Sequence, residues 1–170
     1  MSFVRIESFG FVRVADMLQA APQIAREELL AAMTESDLFL QGEVVERTPT
    51  AHGTLRSSVF TEERVNGDSV LGVVGSPLSY ATYVELGTRP HFPPIEPLID
   101  WVKTKLGVVD KEARGVAFLI ARAIAARGTL AVGMFNRAFA YARPQIDRRF
   151  DQAFERITQR MGQIGTQGGN

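Results

Sequence analysis

The feature that most constrains this fold is the punctuated stretch at residues 48–89, set between two long helical patterns. It opens on TPTAHGTLR, residues 48–56, and closes on YATYVELGTR, residues 80–89. Proline at 49 biases Thr48 toward an extended conformation, so a helix arriving from the N-terminal side must stop there. Residues 57–65 and 70–76 are expected as strands, joined at Asn66-Gly67, whose residues tolerate positive φ. Pro77 ends the second strand. The stretch therefore reads as a loop, a hairpin and a short helix, with long helices available to cover the hairpin.

Pro22 suits a first helical position, and the pattern from there to about residue 47 is helical. Leu30, Met33, Leu40 and Val44 recur on one side, with Asp37 in the remaining seat. That is a core-facing stripe with one acid expected near its edge, or a subunit contact. Upstream, residues 3–14 alternate loosely and suggest one or two short strands broken at Gly10, followed by a turn capped by Asp16. Residues 80–86 suit a short helix capped by Ser79 and ended by Gly87. A further helix is expected from Pro97 to Gly107, with Leu98, Trp101 and Val102 on one face. Asp110 is placed to cap the next, whose inner face is Val116, Ile120, Ala123 and Ile124 and whose stop is Gly128. Pro144 interrupts the final pattern, as a kink or as the start of a separate helix. Beyond it Ile146, Phe150, Ala153, Phe154, Ile157 and Met161 form an apolar stripe, and residues 162–170 are expected to fray.

Composition narrows the function more by exclusion than by suggestion. With 45% apolar and 22% charged residues the chain is an ordinary globular one, not a disordered one. It holds no cysteine, which removes disulfides, thiolate metal sites and cysteine nucleophiles. No apolar run reaches the ~20 residues of a membrane span, and the start of the chain lacks a signal-peptide pattern. A soluble, unexported protein is expected. His52 and His91 are the only histidines, and no ligand spacing accompanies them. His52 beside Ser57 and Ser58 lacks the strand-turn-helix context of a nucleophile, and the glycines are spread singly rather than as a phosphate loop. The expectation is no enzyme, no catalytic residues, no metal and no cofactor.

The charge distribution is lopsided although the total is zero. Residues 1–85 hold 12 acids against 6 arginines, and residues 86–170 hold 13 bases against 7 acids. Either the two halves pack on each other, or the acidic part of one subunit meets the basic part of the next, as in a head-to-tail ring. The basic C-terminal part could also contact phosphates, although no nucleic-acid motif accompanies it.

Taken together and in order, the two motifs resemble the tail-completion family of long-tailed bacteriophages. The matching positions are Pro49, Gly53, Leu55, Arg56 and Ser58, then Tyr80, Ala81, Val84, Glu85, Gly87 and Thr88. The resemblance is strongest over residues 24–90, and residues 133–139 resemble the aromatic segment that usually follows the second motif. It implies an α+β fold in which a small antiparallel sheet is packed by a long N-terminal helix and by C-terminal helices. It further implies a single domain over residues 1–161, with a helical pair inserted at about residues 92–130 and a flexible tail at 162–170. The implied function is a virion structural protein forming a ring, with six copies expected, at the head-tail junction. Its partners would be further copies of itself, a tail-tube or terminator protein and a head-completion protein, with non-specific contact to DNA in the lumen. The rivals are a tail terminator capping the tube and a small non-specific DNA-binding module.

Arg56 and Glu85 carry one charge of each sign in the two motifs and are expected to pair, within a subunit or across an interface. With Tyr80, Tyr83 and Arg89 they form the candidate set of subunit or partner contacts. Pro49, Gly53, Leu55, Gly87 and Thr88 are expected to shape the backbone.

Overall fold

A computed structural model of the chain describes residues 22–50, 53–66 and 69–167. The strands expected in residues 3–14, the Asp16 cap and His52 lie outside the described residues. Helix α1, Pro22–Arg47, occupies the expected span. It is followed by a single helical turn, α2, Thr54–Ser57, and then by the antiparallel hairpin of β1, Phe60–Asn66, and β2, Ser69–Gly75. Helix α3, Ala81–Leu86, closes the motif stretch. Helices α4, Ile95–Leu106, and α5, Asp110–Arg127, form a second unit of helix, and α6, Met134–Gln167, completes the chain. The fold is α+β and mostly helical, with one small antiparallel sheet among the described residues.

Helices α1 and α6 run antiparallel, the N-terminal end of each beside the C-terminal end of the other. At one end Glu28 accepts from Arg156 at 2.6 Å and from Arg160 at 2.9 Å. At the other, the Thr48 hydroxyl lies 3.4 Å from the Met134 sulfur. The first contacts join the acidic half of the chain to the basic half, so part of the charge asymmetry is satisfied internally. The hairpin lies across α1, and the main core of Leu40, Val44, Leu55, Val59, Val74, Met134, Phe135, Ala138 and Ile146 sits where hairpin, α1, α3 and α6 converge. A smaller cluster of Ala25, Leu29 and Ile157 holds the far end of the helix pair. The stripe expected on α6 is the one it buries.

Several local expectations are corrected. The buried line of α1 runs through Ala25, Leu29, Ala32, Ser36, Asp37, Leu40 and Val44, so Leu30 and Met33 flank it rather than lead it. Asp37 is not at an edge: it is only 5% exposed. Residue 57 belongs to the turn of α2, and β1 begins three residues later, because Gly53 at φ 79° starts a helical turn instead of a strand. Asn66 pairs with Ser69, so each strand runs one residue further than expected, and Gly67 of the expected turn lies outside the described residues. Ser79 does not cap α3, whose first turn has Tyr80 in the cap position without a side-chain bond. Helix α4 starts at Ile95, two residues before Pro97, and Trp101 turns outward while Val102 is fully buried. Val109, not Asp110, holds the cap position of α5, and its buried line is Ala113, Ala117 and Ala121. Pro144 does not start a separate element: α6 is one helix through it and continues to Gln167.

Helices α4 and α5 bury Val102, Ala113 and Ala117 with Ile95, Leu98, Ile99, Val108, Val116 and Ile120. The chain leaves for this pair at Thr88 and returns at Thr129, where the two residues form an antiparallel bridge. The amide of Thr88 donates to the Thr129 carbonyl at 3.1 Å, and the reverse bond is 3.2 Å.

Candidate partner-contact site

The first motif is built around the end of α1. Thr48 folds its hydroxyl back onto the Val44 carbonyl at 2.6 Å, and Pro49 then prevents another turn. The last carbonyls of a helix have no intrahelical donor. Arg56 supplies one: its Nε donates to the carbonyls of Val45 at 2.9 Å and Thr48 at 3.2 Å, and Nη2 donates to Glu46 at 3.2 Å. A cation at this end also meets the negative pole of the helix. Leu55 is buried in the main core, so the turn of α2 is anchored by one apolar residue and one arginine.

The second motif does the same for α6. Glu85 accepts from the amide of Phe135 through Oε2 and from that of Asn136 through Oε1, both at 2.9 Å. These are amides of the first turn of a 34-residue helix, and a carboxylate there satisfies donors and faces the positive pole. The backbone reinforces the join, since Val132 and Gly133 donate to the carbonyls of Val84 at 2.9 Å and Glu85 at 3.1 Å. Glu85 is 5% exposed. Within the chain Arg56 and Glu85 therefore do not pair; each is held at a different helix end, by backbone groups.

Gly87 and Thr88 complete the join. Gly87 has φ 73°, and a Cβ there would overlap the Thr129 carbonyl; Gly128 has φ 74° and would overlap the Thr88 carbonyl. The two glycines let the strands of the bridge touch, and the hydroxyls of Thr88 and Thr129 meet at 3.0 Å.

What remains of the motif faces outward. Tyr80, Tyr83, Leu86 and Arg89 are exposed, Tyr83 by 61% and Leu86 by 70%. With Trp101 of α4 and Leu130, which is 94% exposed, they border an open apolar groove of about 1140 Å³. Pro49 of the first motif and His91 also line it, and the His91 Nδ1 lies 2.9 Å from the Arg89 carbonyl. Of the candidate contact residues, the structure thus brings Tyr80, Tyr83 and Arg89 to one surface and sets Arg56 and Glu85 in the frame behind it. Sequence reasoning missed Leu86, Trp101 and Leu130 as members of the surface. Leu86 and Leu130 could have been found as leucines beside glycine-led chain breaks, where no helix face remains to bury them.

Among the described residues no group of three or more histidine and acidic side chains could hold a metal, and no helix is long and apolar enough to cross a membrane. Residues 13–87, a little under half of the chain, match the family described as "Bacteriophage HK97-gp10, putative tail-component". The match contains α1, the hairpin and both motifs as far as Gly87, in agreement with the resemblance to a phage tail-completion family. No curated protein and no solved structure matches the chain.

Proposed function

We propose that this chain, whose residues 13–87 carry the domain of a phage tail-component family, is a virion structural protein that forms a ring at the head-tail junction. The observation that carries the reading is the division of roles inside the two motifs. Arg56, Glu85, Gly87 and Thr88 hold the chain's own elements together, whereas Tyr80, Tyr83, Leu86 and Arg89 leave the same short segment for solvent. A rigid frame presenting aromatic and aliphatic side chains around a concave apolar surface is the anatomy of a protein-contact site. The groove suits an apolar anchor from a tail-tube or terminator protein, or from a head-completion protein, and Arg89 at its rim suits an acidic neighbour. The exposed Arg114, Arg122 and Arg127 of α5 suit non-specific contact with DNA passing through a lumen.

The experiment is deletion of the gene from its phage, complementation in trans, and electron microscopy of the particles. Loss is expected to leave finished, capped tails beside filled heads, and tagged protein to appear as a ring at the junction. Complementation by Tyr83→Ser/Leu86→Ser is expected to fail although the variant folds. Tails of irregular length would identify a terminator instead, and label away from the neck would overturn the reading.

A further inference from the structure

Among the described residues, Asp37 Oδ2 is the buried side-chain oxygen that has no hydrogen-bond partner. It lies under the hairpin, against Gly72 of β2, where any Cβ would overlap the carboxylate. Gly72 pairs directly with Glu63 of β1. Directly paired residues project from the same face of a ladder, so Glu63 leaves the hairpin on the Asp37 side. Burial, and then the Glu63 charge, push the Asp37 carboxyl up to about 7.

Among the described residues no cation answers this pair. The strand of Gly72, SVLGVVG, has no ionisable side chain. One turn away on α1 stand Met33, Thr34, Leu40 and Gln41, all uncharged. The base of the hairpin, Arg64, is held by both oxygens of Glu62, at 2.8 and 2.9 Å. From α6, Arg149 stacks on Phe39 with 4.6 Å between guanidinium and ring centre. Two carboxyls at one place, one of them buried and unpartnered, require a proton or an incoming cation.

We propose that Glu63, backed by Asp37, is the acceptor for an arginine of a second copy of this chain, carried on the outward face of α6 that bears Arg137 and Arg148. The inference rests on the ring reading above and names one of its subunit contacts. Charge identifies the occupant. The acids concentrate in residues 1–85 and the bases in residues 86–170, and Arg156 and Arg160 of α6 already meet Glu28 and Glu27 inside the chain. Arg137 and Arg148 are exposed and take part in no ion pair among the described residues. They stand 11 residues apart, within about 20° of one another around the helix, and so share one face. The planar guanidinium can reach across neighbouring carboxyl oxygens in a way an ammonium cannot. Acidic side chains here would repel nucleic acid.

Sedimentation velocity of the full chain at constant ionic strength, at pH 5.5 and pH 8, tests this. At pH 5.5 a proton neutralises Asp37 and competes with the guanidinium, so self-association is expected to be about tenfold tighter at pH 8, within the range of close interfacial charge pairs. Asp37→Asn/Glu63→Gln is expected to weaken association at pH 8 by about the same factor and to flatten its pH dependence, with melting curves confirming a folded chain. A pH dependence that survives in that variant overturns the assignment. Arg137→Glu and Arg148→Glu are expected to weaken association, and Glu63→Arg added to whichever of them weakens it to restore it. A wild-type ring unchanged in all these variants overturns this contact and leaves the ring standing. A wild-type chain that never self-associates overturns both.

Discussion

Truncating Glu85 to alanine is expected to destabilise the isolated chain by about 3 kcal/mol, because two bonds from amides to a charged acceptor are lost together. Each such bond contributes ~1.5–3 kcal/mol, and water at the opened position partly rescues the two amides. The favourable charge at the start of the helix, worth ~0.3–1 kcal/mol, is lost as well. Glu85→Gln keeps one acceptor and the packing volume, so about half of the loss is expected, roughly 1.5 kcal/mol. Urea unfolding followed by circular dichroism, at a concentration where light scattering finds one species, gives both values by linear extrapolation. In a chain of this size 3 kcal/mol lowers the melting temperature by roughly 6–12 °C. The exposed Glu96→Ala serves as a control expected within about 0.5 kcal/mol of wild type. If Glu85→Ala falls inside that same margin, the carboxylate does not hold the start of α6, and its place in the motif needs a partner from outside the chain.

Three further outcomes follow from the same geometry. Asp37 has a folded-state pKa near 7 against an unfolded value near 4, so the folded state binds the extra proton and stability falls as pH rises between them; urea midpoints at pH 5 and pH 8 measure this, and Asp37→Asn should be stabilising at pH 8 and nearly neutral at pH 4. Gly87→Ala is expected to lower stability by at least ~1–2 kcal/mol from the positive φ alone, with more from overlap with the Thr129 carbonyl, and calorimetry should show it. Arg56→Ala should cost about 1–2 kcal/mol through the lost bonds to three carbonyls, of which Val45 keeps the Thr48 amide, with Arg56→Lys recovering only part, and hydrogen exchange should quicken in the last turn of α1.

What the sequence made legible was governed by local backbone chemistry. Pro22 and Pro49 bracket α1 because proline is welcome at a helix start and its predecessor is barred from one. Gly107 and Gly128 end α4 and α5 at positive φ, where other residues are strained. The errors share a different cause. The fully buried lines of α1 and α5 are rich in Ala25, Ala32, Ala113, Ala117 and Ala121, and a reading that scores large apolar side chains rotates such a helix by part of a turn. Small residues are what lets a neighbouring element approach closely, so the deepest face is the least conspicuous. Pro144 was undecidable locally, because one lost amide costs about 3 kcal/mol and the packing of α6 along α1 outweighs it.

The two motif charges show why candidate contacts are harder to read than elements. Arg56 and Glu85 have opposite signs, and pairing them is the economical inference from side chains alone. Their true partners are carbonyls at 45, 46 and 48 and amides at 135 and 136, groups that every residue but proline's missing amide carries. A backbone partner leaves no signature in the identity of the residue that supplies it. Asp37 reverses the lesson. Its place on an apolar stripe was visible at once, but the meaning lay in a glycine 35 residues away, since only a bare Cα at position 72 leaves room for a carboxylate under a strand. The hairpin could have covered α1 with a valine at that point and an alanine at 37, at no cost in hydrogen bonds. That it instead encloses an unpartnered acid beside Glu63 leaves, among the described residues, a buried charge that the proposed arginine of another copy would answer.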